Sequence, residues 1–356
     1  MSVGGGRRGV NVAIAGATGE VGGALIEILA ERDFPVNALH LLASERSCGK
    51  RLQFKGRSVP VQRLDEFDFS QADIGLFSAG GSVSEEFAPK AAAAGCVVID
   101  NTSAFRYCDD VPLIVPEVNA HRIGEHANRN IIANPNCSTI QMVVALKPIH
   151  DAVGIERINV ATYQAVSGAG GGGLRELAGQ TANLLNGKPI ETDVMPVQIA
   201  FNAIPQIDAF QGNGYTREEM KMVWETRKIL EDDDIQVNPT CVRIPVFYGH
   251  SEAVHIETRE PIAPERAAEL LAAAPGVAVH DQRVPGGYPT AVGEAVGTDA
   301  VHVGRIRQDI SHPRGLNLWV VSDNVRKGAA LNSVQIAEAL VDSWCRAEDR
   351  AIPMEP

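Results

Sequence analysis

VNVAIAGATGEVG, residues 10–22, decides the fold. Its first six residues form a short, β-branched apolar run, the mark of a strand buried on both faces in a parallel sheet. Glycine follows at once. Gly16, Gly19 and Gly22 then open a helical pattern over residues 24–30, in which Leu25, Ile28 and Leu29 share a face before Asp33 and Pro35 end it. A glycine turn between a strand and a helix lets the backbone approach a pyrophosphate, and the helix start supplies free N–H groups and a positive dipole end. The spacing is GxxGxxG rather than GxGxxG. Its place between strand and helix gives it weight that the string alone lacks; the alternative is a turn of purely structural use.

Outward from this stretch, the pattern repeats. Residues 38–43, 74–79 and 97–99 read as further strands, with an Ala-rich helix at 87–95 between the last two. This alternation predicts an α/β architecture: a Rossmann-like, doubly wound nucleotide-binding domain over residues 1–135, with ligands outside the carboxyl ends of its strands. Beyond Pro135 the texture changes. Strands are expected at 157–166, 241–248, 253–258, 300–306 and 316–322, with helices at 174–185, 217–231 and 264–273. They imply an α+β domain over 136–327 with a mixed or antiparallel sheet. The four glycines at 170–173 read as a loop, and a last helix from Gly328 returns to complete the first domain through residue 356.

The chain's 356 residues suit about two domains at roughly 150 residues each. Apolar residues make up 45% and charged ones 21%, so a folded, globular state is expected. Against 32 Lys and Arg stand 44 Asp and Glu, a net charge of −12, which argues against nucleic acid or an anionic membrane as partner. No apolar run nears the roughly 20 residues of a membrane span. The Gly-rich lead-in, residues 1–9, lacks the features of a signal peptide, so a cytoplasmic protein is expected. Six scattered cysteines form no CxxC pair and no zinc-ligand spacing, and no metal is predicted.

Two segments carry candidate chemistry. After the second strand come Ser44, Glu45, Arg46 and Ser47; an arginine beside hydroxyls suits a ribose 2′-phosphate and favours NADP, whereas Glu45 in the same turn suits a free ribose. In Asn134-Pro135-Asn136-Cys137-Ser138-Thr139 the cysteine opens a helical pattern, where dipole and free amides favour a thiolate able to attack a carbonyl. A structural cysteine is the competing reading.

Together with these, SAGGSVS (78–84), NTSAFR (101–106), TYQAVSGAG (162–170), EEMKM (218–222) and CVRIPVFYGHSE (241–252) occur in order. With them the chain resembles bacterial aspartate-semialdehyde dehydrogenases over nearly its whole length. The resemblance implies a homodimeric, NADP-dependent oxidoreductase that interconverts L-aspartyl 4-phosphate and L-aspartate 4-semialdehyde plus phosphate, in lysine (diaminopimelate), methionine, threonine and isoleucine biosynthesis. It makes 136–327 the catalytic and dimerisation domain. Cys137 matches the nucleophile, His250 the acid/base histidine that accepts the thiohemiacetal proton in the oxidative direction, and Gln164 the substrate-orienting glutamine. Arg243 matches the group gripping the α-carboxylate. Glu218 matches the partner of the substrate amine, with Glu219 as the adjacent alternative; Lys221, Arg106 and Asn136 match anion- and phosphate-binding positions. Gly16, Thr18, Gly19, Glu20, Val21, Ser44, Arg46, Ser47, Ser78, Ala79, Gly80, Ser167, Gly168 and Asn324 match cofactor-lining positions.

Three rival readings differ in testable ways. N-acetyl-γ-glutamyl-phosphate reductase shares the covalent logic, but its acylated amine gives a carboxylate at 218 nothing to pair with. A non-catalytic NADP sensor should lack Cys137, Gln164, Arg243 or His250, yet all are present. A redox switch needs a resolving thiol near Cys137; none adjoins it in sequence, which leaves Cys108 and Cys241 as the candidates to lie close in space.

Overall fold

The computed structural model describes residues 9–351, so the first eight residues of the Gly-rich lead-in lie outside it. The chain divides into two compact units: Met1–Pro135 with Ala330–Pro356, and Asn136–Ala329.

The first unit is built on seven strands: β1 (Val10–Ala15), β2 (Val36–Ala43), β3 (Arg51–Phe54), β4 (Arg57–Arg63), β5 (Ile74–Phe77), β6 (Val97–Asp100) and β7 (Ile131–Ala133), in the order β3-β4-β2-β1-β5-β6-β7. All neighbours are parallel except β3 on β4. Three helices, α1 (Glu20–Glu31), α2 (Gly81–Ala93) and the short α3 (Pro116–Asn119), connect them. The winding reverses between β1 and β5, the kind of switch point where such sheets bind ligands. Val12, Ile14, Leu25 and Leu29 share a core with Val334, Leu340 and Val341 of the last helix, α8 (Leu331–Ala351). Arg32 clamps that helix through both oxygens of Glu338 at 2.8 Å.

The second unit runs through α4 (Cys137–Val153), β8 (Ile155–Gln164), α5 (Gly170–Leu185), α6 (Arg217–Leu230), β9 (Gln236–Arg243), β10 (His250–Thr258), α7 (Pro264–Ala273), β11 (Val277–Val279), β12 (Val301–Gln308) and β13 (Gly315–Ser322). Its six strands form one mixed sheet in the order β11-β12-β13-β10-β8-β9. Ile158, Val160, Val254, Ile256, Leu318 and Val320 bury one face of it, on which α4 packs. Among the described residues no helix is long and apolar enough to cross a membrane.

Four elements depart from the expected pattern. The strand expected to reach Tyr248 stops at Arg243: Pro245 has no amide to give, and the carbonyls of Val246 and Phe247 instead accept the amides of Val166 and Ser167. Gly170–Gly173 is the first turn of α5 rather than a loop. Glycine is needed there because a Cβ on Gly173 would lie 2.5 Å from the Val166 carbonyl oxygen. The hairpin β3–β4 escaped notice as a mostly exposed, charged edge, and α2 begins at Gly81 through a polar turn whose Ser84 is buried against Asp100 at 2.7 Å.

Candidate active site

In the first unit the glycine loop is shaped by contact. Gly16 has φ +88°, and a Cβ there would lie 2.9 Å from the Ser78 backbone; a Cβ on Gly22 would lie 2.2 Å from the Gly16 oxygen. Gly19 caps α1 with no side chain of its own, so no cap side chain competes with an anion for the start of the helix. The loop after β5 lies across the switch point. There the Ser78 hydroxyl binds the Ala15 carbonyl at 3.2 Å, Ala79 follows, and Gly80 (φ +103°) opens α2. Thr18 reaches Ser47 at 3.5 Å in the turn after β2. In that turn Ser44 and Arg46 are exposed, and Glu45 leans to Arg63 at 3.4 Å. This cradle, narrow enough to exclude a Cβ, fits a dinucleotide's pyrophosphate. Arg106, nearly buried in the same unit, donates to the Asn101 carbonyl at 2.9 Å.

In the second unit, Cys137 is the first residue of α4, and Asn136 is its cap. The Asn136 side-chain oxygen accepts the amides of Ser138 and Thr139 at 3.0 and 3.3 Å. Cys137 is partly exposed, while Cys96 and Cys241 are buried. Burial pushes the Cys96 thiol up to about 12 and raises Cys241 as well, leaving both inert. Behind Cys137, a Cβ on Gly328 would lie 2.6 Å from the Cys137 Cβ, so a larger residue there must displace the cysteine.

His250 opens β10, is fully buried, and accepts the Ala165 amide on Nδ1 at 3.0 Å. Burial, then the neighbouring Arg243 cation, hold its imidazole down at about 3, so the ring is neutral and carries its proton on Nε2. The resting ring therefore presents a donor. Accepting a proton at Nε2, the role expected from sequence, requires the other tautomer and release of Ala165. Nε2 has no hydrogen-bond partner and faces Gly168, where a Cβ would sit 3.6 Å from it and 2.8 Å from Arg243 Nη1. Asn324 and Ser167 hydrogen-bond each other at 2.9 Å, and Asn324 also takes the Gly249 amide at 2.9 Å, fixing the approach to His250. Arg243 ends β9, anchored on the Ala165 carbonyl at 2.7 Å; burial lowers its guanidinium, with the Glu218 carboxylate acting the other way.

Glu218 is 5% exposed and saturated with donors: Asn136 Nδ2 at 2.8 Å, Gln164 Nε2 at 3.1 Å and Lys221 Nζ at 2.9 Å. Burial opposes its charge, but the Lys221 cation and these hydrogen bonds prevail and hold the carboxyl at about 2. Lys221 is likewise raised, despite burial, by Glu218 and by Asp208 at 3.0 Å. Glu219 points elsewhere. It forms the capping box of α6 with Thr216 and takes the Cys241 amide at 3.1 Å, so of the two adjacent carboxylates Glu218 is the one among the site residues. Cys137, Asn136, Gln164, Glu218, Lys221, Arg243 and His250 thus gather in one unit, and Arg106 and the glycine loop belong to the other. Sequence reasoning missed Asp208, the packing of Gly328 on Cys137, and Glu225, whose buried carboxylate takes the Asn136 amide at 2.6 Å. None carries a local motif.

Family comparison agrees along most of the chain. Residues 11–126 match the semialdehyde dehydrogenase NAD-binding domain, and residues 146–327 match the semialdehyde dehydrogenase dimerisation domain. An aspartate-semialdehyde dehydrogenase of Legionella pneumophila is 63% identical over 94% of this chain and 96% of that protein; aspartate-semialdehyde dehydrogenase 2 of Vibrio cholerae is 65% identical over 94% and 98%. The solved structure of the Vibrio cholerae enzyme II complexed with ASA superposes with a TM-score of 0.93 at 64% identity, covering 94% of this chain and 99% of that one. The Candida albicans enzyme, solved with NADP, gives 0.73 at 26% identity over 94% and 98%.

Proposed function

This chain belongs to the aspartate-semialdehyde dehydrogenase family, and from that premise we propose that it works with NADP through a covalent intermediate on Cys137. The reaction interconverts L-aspartyl 4-phosphate and L-aspartate 4-semialdehyde plus phosphate, a step on the way to lysine, methionine and threonine. In the reductive direction the Cys137 sulfur attacks the acyl carbon, phosphate leaves, and a thioester forms. A bound nicotinamide would supply the hydride. The resulting thiohemiacetal collapses to the aldehyde and regenerates the thiolate.

Each side chain has a matching task. The capped start of α4 favours the thiolate. The neutral His250 offers Nε2–H to the oxygen that gains negative charge, at a buried site where such a donor counts most. Arg243 holds the α-carboxylate and the ionised Glu218 meets the amine, for which Lys221 must yield toward Asp208. Gln164 orients the acyl group. In the second unit Asn136 and Lys221 suit phosphate, and in the first unit Arg106 offers the same chemistry. Arg46, exposed beside Ser44 and Ser47 while Glu45 leans to Arg63, suits a 2′-phosphate, and the glycine loop takes the pyrophosphate. Ser167, Gly168 and Asn324 are the residues of the second unit suited to contact the cofactor.

One observation carries this reading: a single unit holds an N-capped cysteine, a neutral histidine, a buried arginine and a buried ionised carboxylate. That carboxylate favours an amine over an acylated one, and so the aspartate substrate over an N-acetylated homologue. The half-buried outer face of the second sheet, with Tyr163, Ala253 and Trp319, is the face for a second copy. Cytoplasm suits an enzyme that needs a free thiol. Incubating the enzyme with aspartate semialdehyde and NADP without phosphate should load an aspartyl group on Cys137, read by peptide mass spectrometry. Cys137→Ser should carry none; label on another residue would refute the assignment.

A further inference from the structure

One buried carboxyl has no task in this chemistry. Glu252 is fully buried on β10, and neither of its oxygens has a hydrogen-bond partner. The Nε2 of Gln141 on α4 is buried and unpartnered too. Gln141 is the one side chain whose polar group acts on the Glu252 carboxyl. Burial raises that carboxyl well above the carboxylate range, with no cation acting against it. A neutral acid fits the space. Its hydroxyl can donate to the amide oxygen, and its carbonyl can accept from the amide nitrogen. The amide oxygen keeps a lone pair for this, since it accepts only the Ser322 hydroxyl, at 2.6 Å.

Position gives the pair its meaning. Glu252 follows His250 by two residues on one strand, so both point to the same face. Gln141 follows Cys137 by four on one helix, so they too share a face, one turn apart. Ser322 stands opposite His250 across the β10–β13 pairing. We infer that Glu252, Gln141 and Ser322 form a neutral brace that ties α4 to β10 and β13 one layer beneath Cys137 and His250, and so sets the distance between nucleophile and acid. Glu252 is thus a positioning residue that does not exchange its proton during turnover. The inference rests on the roles proposed for Cys137 and His250.

The test uses the whole enzyme with Glu252→Gln, Glu252→Leu, Gln141→Leu and the swapped double variant Gln141→Glu with Glu252→Gln. A neutral pair survives in Glu252→Gln and in the swap, so both should retain kcat within about threefold, with the pH profile of kcat unmoved. Glu252→Leu and Gln141→Leu should lower kcat by about 100-fold, the scale of a misplacement near 1 Å, with little change in KM. The infrared spectrum of the native protein minus that of Glu252→Gln, at neutral pH, should contain the carbonyl band of a protonated carboxyl. Native kcat in Glu252→Leu overturns the brace, and so does a limb of the pH profile that vanishes in Glu252→Gln. A carboxylate band in place of the acid band does the same. If Glu252→Leu does not fold, the swap and the infrared band still decide. Neither depends on which residue is the nucleophile, so an error there would show separately in the labelling of Cys137.

Discussion

Replacing Glu218 by glutamine removes one charge from the most densely bonded part of the site. The native carboxyl is held at about 2 against an ordinary 4.5, a gap worth about 3 kcal/mol of stability at neutral pH. Lys221 would not be stranded, because Asp208 still holds it at 3.0 Å, so the loss should stay near that figure. The sign with pH is fixed. A folded-state value below the unfolded one gives stability that is complete above pH 4.5 and drains away as pH falls toward 2. In urea unfolding, Glu218→Gln should therefore lag the native protein by about 3 kcal/mol at pH 7, with more than half of that gap gone by about pH 3. At the site, an ammonium loses a charge-assisted partner worth about 1.5–3 kcal/mol, so kcat/KM for aspartate semialdehyde should fall by roughly 10- to 100-fold while NADP affinity holds. A stability gap independent of pH, or an unchanged kcat/KM, would refute the role assigned to Glu218.

Other expectations are equally concrete. Gly328→Ala pushes a methyl into Cys137 and should cost about 1–3 kcal/mol in thermal unfolding as well as most of the turnover; native kinetics would show that the contact relaxes freely. Arg46→Glu should weaken NADP by roughly 100-fold and leave NAD within about threefold, in fluorescence titration; equal losses would remove the 2′-phosphate contact. Held down at about 3, His250 should give ring signals by NMR that do not shift between pH 5 and 8, and a midpoint near 6.5 would contradict a neutral buried ring. Arg243→Lys keeps the charge and loses the planar fork, so KM for the semialdehyde should rise about tenfold or more, and unchanged kinetics would place Arg243 outside the site.

The parts legible in the sequence are those that local rules enforce. A β-branched run, three glycines and a helical stripe announce β1, the loop and α1, because backbone approach and burial leave few alternatives. Asn136-Cys137 was readable as a helix start for the same reason. What stayed hidden depends on partners far along the chain. Glu218 and Glu219 are equivalent in sequence and diverge only because Thr216 and the Cys241 amide claim one of them. His250 looks like an ordinary titrating histidine until the Ala165 amide fixes its tautomer. Glu252 reads as a routine strand acid, and only complete burial opposite Gln141 makes it neutral. The end of β9 at Arg243 is set by pairing to residues 166–167, which strand periodicity does not register.

NADPH formation from L-aspartate semialdehyde and NADP, with and without phosphate, tests covalent catalysis at Cys137 most directly, with N-acetyl-glutamate semialdehyde run in parallel. Sustained turnover of the aspartate compound is expected only with phosphate, and without it a single burst equal to the enzyme sites, as a thioester waits for its acceptor. Turnover that ignores phosphate, or that occurs only with the acetylated substrate, would contradict the thioester on Cys137 or the pairing of Glu218 with a free amine.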